Sequence, residues 1–294
     1  MRRKWSAELA LIGNAFIWGS TFVVVKEALN DASVLVFLAL RFAVATVILG
    51  AVFRPLPSKF AAGKPLVRAG VYAGFFLFAG YALQTFGLRY TTPSKSAFLT
   101  GLSIVMVPVL AAAVQRTRPA AAEWTGVAAA TAGLALLTLE GPVSDVNFGD
   151  MLTIGCAAAF AAHILVVGHY VPRFGFQALT LVQVGTSAAL SGALCWWAEP
   201  VFVRWTAGLA FALVVTAVLA TALAFSVMAW AQQYTSPTRT ALILALEPVF
   251  AWVAAYAVIG EVLSLRAASG AALILGGILL VELKPFGTSK RPGK

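Results

Sequence analysis

Charged residues are scarce in this chain. They make up 11% of its 294 residues, whereas 61% of the residues are hydrophobic, and the mean hydropathy is +0.90. A water-soluble domain of this length does not need so much apolar surface, because polar and charged side chains normally cover its exterior. The composition therefore excludes a soluble globular domain and predicts an all-α polytopic membrane protein.

Cysteines and histidines are rare as well. Cys156 and Cys195 both lie in apolar runs without CxxC spacing, and the histidines, His163 and His169, do not cluster with them. These features argue against a disulfide framework and a metal site, and they favour two buried thiols that pack as small hydrophobic side chains. HExxH, GxSxG and P-loop motifs are missing from the sequence, so we expect no catalytic residues, no cofactor and no coupling to ATP.

The net charge of +10 does not indicate a nucleic-acid partner. The basic residues fall in short connections and tails, where a membrane protein concentrates them. Apolar runs of roughly the length that crosses a bilayer separate these connections. We predict ten spans, at roughly 7–25, 32–53, 69–88, 94–114, 122–139, 149–171, 176–197, 207–233, 237–258 and 265–283.

The distribution of basic residues predicts an orientation in the cytoplasmic (inner) membrane. Fifteen lysine and arginine residues lie on the side of the two termini and five on the other side, which places both termini in the cytoplasm. The amino-terminal segment begins like a signal peptide, but no small-residue cleavage site follows it, so we interpret it as a retained first helix.

Two segments of the chain are similar to each other. YTTPSKSAFL at 90–99 matches YTSPTRTALI at 234–243, at an offset of 144 residues. GNAFIWGSTFV at 13–23 aligns with GCAAAFAAHIL at 155–165, at an offset of 142 residues. The sequence therefore predicts an internal duplication.

The duplication divides the chain into two repeats of five helices. Residues 1–143 form the first repeat and 144–283 the second, and 284–294 form a basic cytoplasmic tail expected to contact anionic lipid. Because five is odd, the second repeat has to enter the membrane from the opposite side. Inverted repeats around a central site are typical of secondary transporters.

Two charged residues, Arg41 and Glu247, lie near the middle of predicted spans, where a charge is costly. Arg41 is about halfway through the second span, and Glu247 is in the middle of the ninth, next to Pro248. The simpler interpretation is a structural ion pair between Arg41 and Glu247, or an arginine bonded to backbone carbonyls, that clamps the helices together. The alternative is a proton or substrate-ammonium site at Glu247. Pro108 and Pro248 each remove a backbone hydrogen bond, which predicts that the fourth and ninth helices are kinked and line the interior.

Other polar and aromatic residues at membrane depth are expected to face an interior cavity. Asn14 and Trp18 share a face of the first helix, and Ser96, Thr100 and Ser103 form one stripe on the fourth. The candidate substrate-binding residues are Asn14, Trp18, Tyr81, Gln84, Ser96, Thr100, Ser103, His163, Trp230, Glu247 and Trp252. The alternative for the hydroxyls and His163 is hydrogen bonding within or between helices, and for tryptophans it is interfacial anchoring.

The fifth and tenth spans are rich in glycine and alanine, which let helices approach closely. We interpret them as a scaffold or as the contact of a homodimer. Lys95 and Arg239 follow Pro93 and Pro237 at matched positions of the two repeats. They are either gate residues of opposite halves or cations that extend from helix ends towards the aqueous phase.

FIWGSTFVVVK, LALRFAVATVIL, YTTPSKSAFLTGL and LEPVFAWVAAYAVIGE, in this order, resemble the EamA-like family of the drug/metabolite transporter superfamily. The resemblance covers about residues 7 to 283. It implies a basket-like fold of ten helices around a central cavity and the movement of small metabolites, often the export of amino acids. The sequence QRTRP after the fourth span departs from the family, since many relatives have an acidic residue there.

From the repeat and the resemblance we expect a secondary transporter that works by alternating access. It would export an amino acid or a related amphiphilic small molecule, either coupled to protons or by facilitated diffusion. A carrier of sugars, nucleotide sugars or phosphorylated metabolites is the first alternative, although phosphate would call for more cations in the spans. A membrane-embedded enzyme is the second alternative.

Overall fold

The computed structural model describes residues 2–54, 63–91, 93–115, 121–138, 147–251, 253 and 264–283. These residues are helical apart from short connections and one isolated bridge between Ala32 and Val203. The helices are α1 (Arg2–Ala28), α2 (Val34–Val52), α3 (Gly63–Leu88), α4 (Pro93–Gly101), α5 (Ser103–Gln115), α6 (Ala121–Thr138), α7 (Phe148–Phe174), α8 (Phe176–Ala198), α9 (Ala207–Val214), α10 (Ala224–Ala231), α11 (Pro237–Leu244) and α12 (Leu265–Leu283). The π-helical segment Val215–Leu223 joins α9 to α10, and 247–251 are again helical.

Seven helical segments in the described part of the chain are long and apolar enough to cross a membrane. They are α1, α2, α3, α7, α8, the α4–α5 pair and the continuous α9–α10 segment. The chain is therefore a polytopic helical membrane protein, as its composition predicts. The count of ten spans goes beyond these seven and stays a prediction.

Local sequence signals set several helix ends. Asn147 starts α7 with a capping box, in which its side chain accepts from the Asp150 amide and the Asp150 carboxylate accepts from the Asn147 amide. Gly175 ends α7 at a φ of 82°, which favours a residue without a Cβ. The side chains of Thr206 and Ser236 cap α9 and α11 in the same way as Asn147 caps α7.

The fourth and ninth spans are both interrupted near the middle. The Leu102 amide donates to the Leu99 carbonyl (3.2 Å), and the Leu246 amide donates to the Ile243 carbonyl (3.1 Å). Each bond closes a turn of three residues instead of the four of an α-helix. Leu102 and Leu246 are 144 residues apart, which is the offset of the sequence repeat.

The two prolines lie at different distances from these interruptions. Pro248 follows the break at Leu246 by two residues, close to where a proline kink is expected. Pro108 lies inside α5, six residues after the break at Leu102. The interruption of the fourth span therefore lies before Pro108 and not at the proline itself.

Several helix contacts correspond to each other when the first five predicted spans are exchanged with the last five. The α3–α7 contact corresponds to the α1–α10 contact. The α3–α8 contact corresponds to that of α2 with the π-helical segment, and the α5–α7 contact corresponds to the α1–α11 contact. The pairs α2–α8, α5–α11 and α6–α12 correspond to themselves. A two-fold relation between the halves would produce this pattern.

In the α6–α12 contact, a glycine of each helix lies against the backbone of the other helix. A Cβ on Gly133 would lie 2.5 Å from the Gly270 carbonyl oxygen, and a Cβ on Gly277 would lie 2.7 Å from the Gly126 carbonyl oxygen. At the repeat offset Gly133 aligns with Gly277 and Gly126 with Gly270. The glycines let the two backbones approach closely, while the scaffold or homodimer role of these helices stays a prediction.

The bundle has two ends, which we call the amino-terminal face, where α1 begins, and the opposite face, where α1 ends. At the opposite face Asp31 accepts from Arg204 Nε (2.8 Å) and from the Thr206 hydroxyl (2.5 Å). Arg89 lies 3.5 Å from the Glu199 carboxylate. The hydrogen bonds from Thr206 and then Arg204 lower the pKa of Asp31 below its ordinary value of 3.8.

Candidate functional site

A cavity lies between α1, α2, α3, α4, α7, α10 and α11, and both interrupted spans contribute to its wall. Together with its opening it contains about 890 Å³ of empty space. Eight of the residues singled out in the sequence line it: Trp18, Arg41, Tyr81, Gln84, Thr100, Ser103, His163 and Glu247.

Three other candidates are placed elsewhere. Asn14 is 1% exposed and donates to the Ala224 carbonyl (2.7 Å), so it ties α1 to α10. Ser96 is buried outside the cavity wall, and Trp230 packs edge to face on Tyr234 (5.5 Å between centroids). These three are not among the residues that line this cavity, so their part in substrate binding stays a prediction. Trp252 lies outside the described residues.

Arg41 is 2% exposed, and its Nε and Nη2 form hydrogen bonds with neighbouring helices. Its Nε donates to the Thr221 hydroxyl (2.7 Å), and its Nη2 donates to the Tyr81 hydroxyl (3.1 Å) and the Ala220 carbonyl (3.3 Å). The guanidinium also stacks over the Tyr81 ring at 4.3 Å. Its Nη1 forms no hydrogen bond within the described residues, which leaves that nitrogen for the cavity that Arg41 lines.

The π-helical segment creates the acceptors for Arg41. The Thr221 hydroxyl donates to the Thr216 carbonyl (2.7 Å), five residues earlier, as the wide turn allows. The Ala220 carbonyl accepts from Trp18 Nε1 (2.9 Å) as well as from Arg41. Such segments frequently occur at functional sites.

Glu247 follows the interruption of the ninth span directly and is only partly buried. Pro248 has no N–H, so the Leu244 carbonyl loses its usual helical donor, and all three residues line the cavity. Across the described residues the Glu247 carboxylate has no hydrogen-bond or ion-pair partner. A carboxylate at membrane depth without a protein partner needs either a ligand or water.

The predicted ion pair between Arg41 and Glu247 does not form. Both residues line one cavity, but the three hydrogen bonds of Arg41 go to Thr221, Tyr81 and Ala220. Neutral acceptors on α3 and the π-helical segment therefore satisfy the guanidinium, and the carboxylate is left facing the cavity.

His163 belongs both to the cavity wall and to the contact between helices. Its Nε2 lies 2.8 Å from Gln183 Oε1 on α8, and its ring packs edge to face on Phe225 at 5.6 Å. The hydrogen bond across a helix pair that the sequence left open as an alternative is present. The residue still lines the cavity, so a functional role stays a prediction.

The stripe on the fourth span is only partly directed to the cavity. The Thr100 hydroxyl accepts from Gln84 Nε2 (3.1 Å) and lies 3.8 Å from Cys156 Sγ. Thr100 and Ser103 line the cavity on either side of the break, whereas Ser96 does not.

Sequence reasoning missed the aromatic wall. Phe225 packs on Trp18 (5.2 Å between centroids) and on Tyr81 (6.0 Å), and Phe160 packs on Tyr81 (5.2 Å). Phenylalanine is common on lipid-facing surfaces too, so nothing in one sequence separates these two from the others. The position of Phe160, three residues before His163, is the one available signal.

Chemically, the cavity combines an aromatic wall with one carboxylate, one guanidinium edge and hydroxyl groups. Histidine, cysteine, aspartate and glutamate do not gather in groups of three or more in the described ranges, so these ranges offer no metal centre. The arrangement suits a small amphiphilic molecule with both an apolar part and polar groups.

The model of a family described as "EamA-like transporter family" matches residues 5–139 and, a second time, 147–283. An "Uncharacterized transporter" of Archaeoglobus fulgidus is 34% identical over 282 residues, covering 96% of this chain and 87% of that protein. The "Uncharacterized inner membrane transporter YedA" of Escherichia coli K12 is 24% identical over 145 residues, which is 49% of this chain and 47% of that protein.

A solved crystal structure has the same fold. It superimposes with a TM-score of 0.76 at 18% identity, and the match covers 95% of this chain and 96% of the other. At this identity the likeness concerns the fold alone.

Proposed function

The chain belongs to the EamA-like transporter family, and we propose that it is a secondary transporter that moves a small amphiphilic metabolite by alternating access. The substrate class that fits best is an amino acid or a related compound, and the direction is export. Transport is either coupled to protons or facilitated, and a homodimer is a further expectation from the glycine-rich α6–α12 pair. As a membrane transporter it is not expected to catalyse a covalent reaction.

One observation carries this proposal: Glu247, whose carboxylate has no partner among the described residues, lines a cavity that Arg41 also lines. A solute with an ammonium group would pair with the carboxylate, and a carboxylate on the same solute would meet the exposed edge of the guanidinium. The aromatic wall would hold its apolar part. Pairing with substrate removes the cost of an unpaired charge in a low-dielectric site.

The overall architecture belongs to the same proposal. We infer ten membrane helices as two inverted repeats, 1–143 and 144–283, with a basic tail at 284–294. The two family matches, the equivalent helix breaks at Leu102 and Leu246, and the helix pairs that survive exchange of the halves support it. The excess of basic residues on the side of the termini supports a cytoplasmic location for both ends in the inner membrane.

A carrier of phosphorylated or nucleotide-linked sugars is less well supported. Such a substrate needs several cations around its phosphates. Of the cavity-lining residues in the described part of the chain, only Arg41 carries a fixed positive charge, and three of its hydrogen bonds are already made.

Transport into proteoliposomes tests the proposal directly. Purified protein is reconstituted, and uptake of radiolabelled amino acids, sugars, sugar phosphates and nucleosides is measured at two pH values. We expect saturable uptake of at least one amino acid or amphiphilic amine, abolished by an excess of unlabelled solute. Saturable uptake of sugar phosphates alone would contradict the proposed substrate class, and liposomes without protein are the control.

A further inference from the structure

A buried ion pair connects the first and ninth spans at the amino-terminal face. Arg239 Nη1 lies 3.5 Å from Glu8 Oε1, and the side chains are 4% and 7% exposed. Lys4 Nζ lies 3.2 Å from the same oxygen and is more exposed. Arg239 is in the first turn of α11 and Glu8 is in the first half of α1, so the pair joins two helices that also line the cavity.

The pair lies between the cavity and the amino-terminal face. On α1 the cavity is lined by Trp18, Thr21 and Val25, and Glu8 lies ten residues before Trp18, about 15 Å along the helix axis. On α11 the cavity wall begins at Ala241, two residues after Arg239. The ion pair therefore joins α1 and α11 between the cavity and this face.

The repeat places equivalent charges at the opposite face. At the offset of 142 residues Glu8 aligns with Asp150, and at the offset of 144 residues Arg239 aligns with Lys95. Asp150 is 1% exposed and accepts from the Thr91 hydroxyl (2.8 Å), which fixes α7 to the connection after α3. The side chain of Lys95 lies outside the described residues. Each face thus has one acidic and one basic residue at equivalent positions of the two halves.

An ion pair has a property that suits a contact broken in every cycle. When it is closed and buried, the attraction between the charges offsets much of the cost of removing them from water. When it is open, both charges are hydrated. An apolar seal would instead expose its apolar surface to water at each opening.

We propose that the Glu8–Arg239 pair is the latch that holds the amino-terminal face closed, and that Asp150, at the position equivalent to Glu8, favours closure of the opposite face. The inference rests on the alternating-access function proposed above. In this structure the latch is closed. Weakening a contact that closes one face shifts the population of the transporter towards opening on that side.

Thiol labelling measures this population shift without any substrate. Ala241→Cys places a thiol in the cavity wall next to the amino-terminal latch, in a background with Cys156→Ala and Cys195→Ala. Inside-out and right-side-out membrane vesicles are treated with a membrane-impermeant maleimide, and the initial labelling rate is measured. We expect Glu8→Gln to raise the rate from the amino-terminal side at least about fivefold, and Asp150→Asn to lower it.

Controls separate a latch from general damage. Glu27→Gln removes an exposed carboxylate on the same helix, which accepts from Asn30 (3.3 Å), and it should leave the rate unchanged. If Glu8→Gln does not fold because an unpaired charge is left buried, the double variant Glu8→Gln with Arg239→Gln removes both charges and should raise the rate as well.

Two outcomes would overturn the latch. In the first, the labelling rate of the folded Glu8→Gln variant stays at the parent value. In the second, Glu8→Gln and Asp150→Asn change the labelling rate in the same direction. Because labelling requires no transported solute, a latch can be found even if every candidate substrate fails. Conversely, saturable transport with unchanged labelling would retain the proposed function and reject the latch.

Discussion

The fourth and ninth spans break at equivalent places, yet different chemistry follows each break. The turn at Leu102 is followed by Ser103, and the turn at Leu246 is followed by Glu247. Both Ser103 and Glu247 line the cavity. Because the copy with serine forms the same turn, the turn does not require a carboxylate. The comparison teaches that the fold repeats its backbone and that the ninth span adds a charge which folding does not need.

The largest effect on transport is expected when the Glu247 charge, which distinguishes the ninth span from the fourth, is removed. Glu247→Gln and Glu247→Ser should reduce transport about tenfold or more, because the cavity loses the negative charge opposite the substrate. Thermal stability should hardly change, since the carboxylate has no partner in the described protein. Proteoliposome uptake and thermal unfolding provide the two measurements.

The matched control for this pair is Ser103→Ala, which alters the equivalent position and should reduce transport less than about threefold. Glu247→Gln should also flatten the pH dependence of transport if Glu247 carries the coupling proton. Transport with parent rate and parent pH profile in the glutamine variant would leave Glu247 with a purely structural role.

A second test concerns how tightly α1 packs beside the break of the ninth span. A Cβ on Gly19 would lie 2.3 Å from the Glu247 carbonyl oxygen, whereas Ala161 occupies the equivalent position in the second repeat. Gly19→Ala should lower the free energy of unfolding by about 1–3 kcal/mol. The new Cβ would meet the Glu247 carbonyl oxygen and the Ala251 amide nitrogen, which are backbone atoms and cannot rotate away as a side chain can. Gly13→Ala, on the same helix with open space around it, is the control. Equal melting temperatures for the two variants would contradict the close contact.

The α6–α12 pair offers a finer comparison between neighbouring residues. A Cβ on Gly277 would meet the Gly126 carbonyl oxygen at 2.7 Å, while one on Gly276 would meet nothing within 4 Å. Gly277→Ala is expected to destabilise the protein by about 1–2 kcal/mol, and Gly276→Ala to be neutral or slightly stabilising through helix propensity. Thermal unfolding in detergent would reveal the difference, and similar losses in both variants would argue against the helix pairing.

The smallest effect is expected at the opposite face, where the halves are not equivalent. Asp31 binds Arg204 and Thr206, but the residue at its repeat position is Arg173. Because the hydrogen bonds lower the pKa of Asp31 in the folded state, its contribution to stability is complete above the ordinary value of 3.8 and is lost as the pH falls through the lowered pKa. Asp31→Asn should therefore lower stability slightly at pH 7 and flatten its decline below about pH 4. Melting curves between pH 3 and 7 measure this, and a variant with an unchanged acid limb would contradict it.

Much of the candidate site was predictable one residue at a time. Arg41, Tyr81 and Glu247 are polar groups at membrane depth, and the bilayer leaves such groups few places other than the interior. Their partners were not predictable. The π-helical turn that brings Thr221 to Arg41 has no clear sequence signal, and the expected Arg41–Glu247 pair followed from charge alone.

Asn14 and Trp18 illustrate the same limit on α1. They share a helix face, as their spacing indicates, and they donate to carbonyls of Ala224 and Ala220. Only Trp18 also reaches the cavity. Spacing fixes which residues share a face, but the wall of a cavity depends on how far each side chain extends past its neighbouring helix.

The amino-acid sequence by itself determined the membrane class, the positions of the apolar helices and the duplication, because each depends on composition or on periodic and repeated patterns along the chain. The tertiary structure alone decided which polar groups meet one another. Arg41 and Thr221 are 180 residues apart, and their contact depends on the rotation and depth of separate helices. No local pattern encodes those two quantities, since they result from the packing of all the helices together.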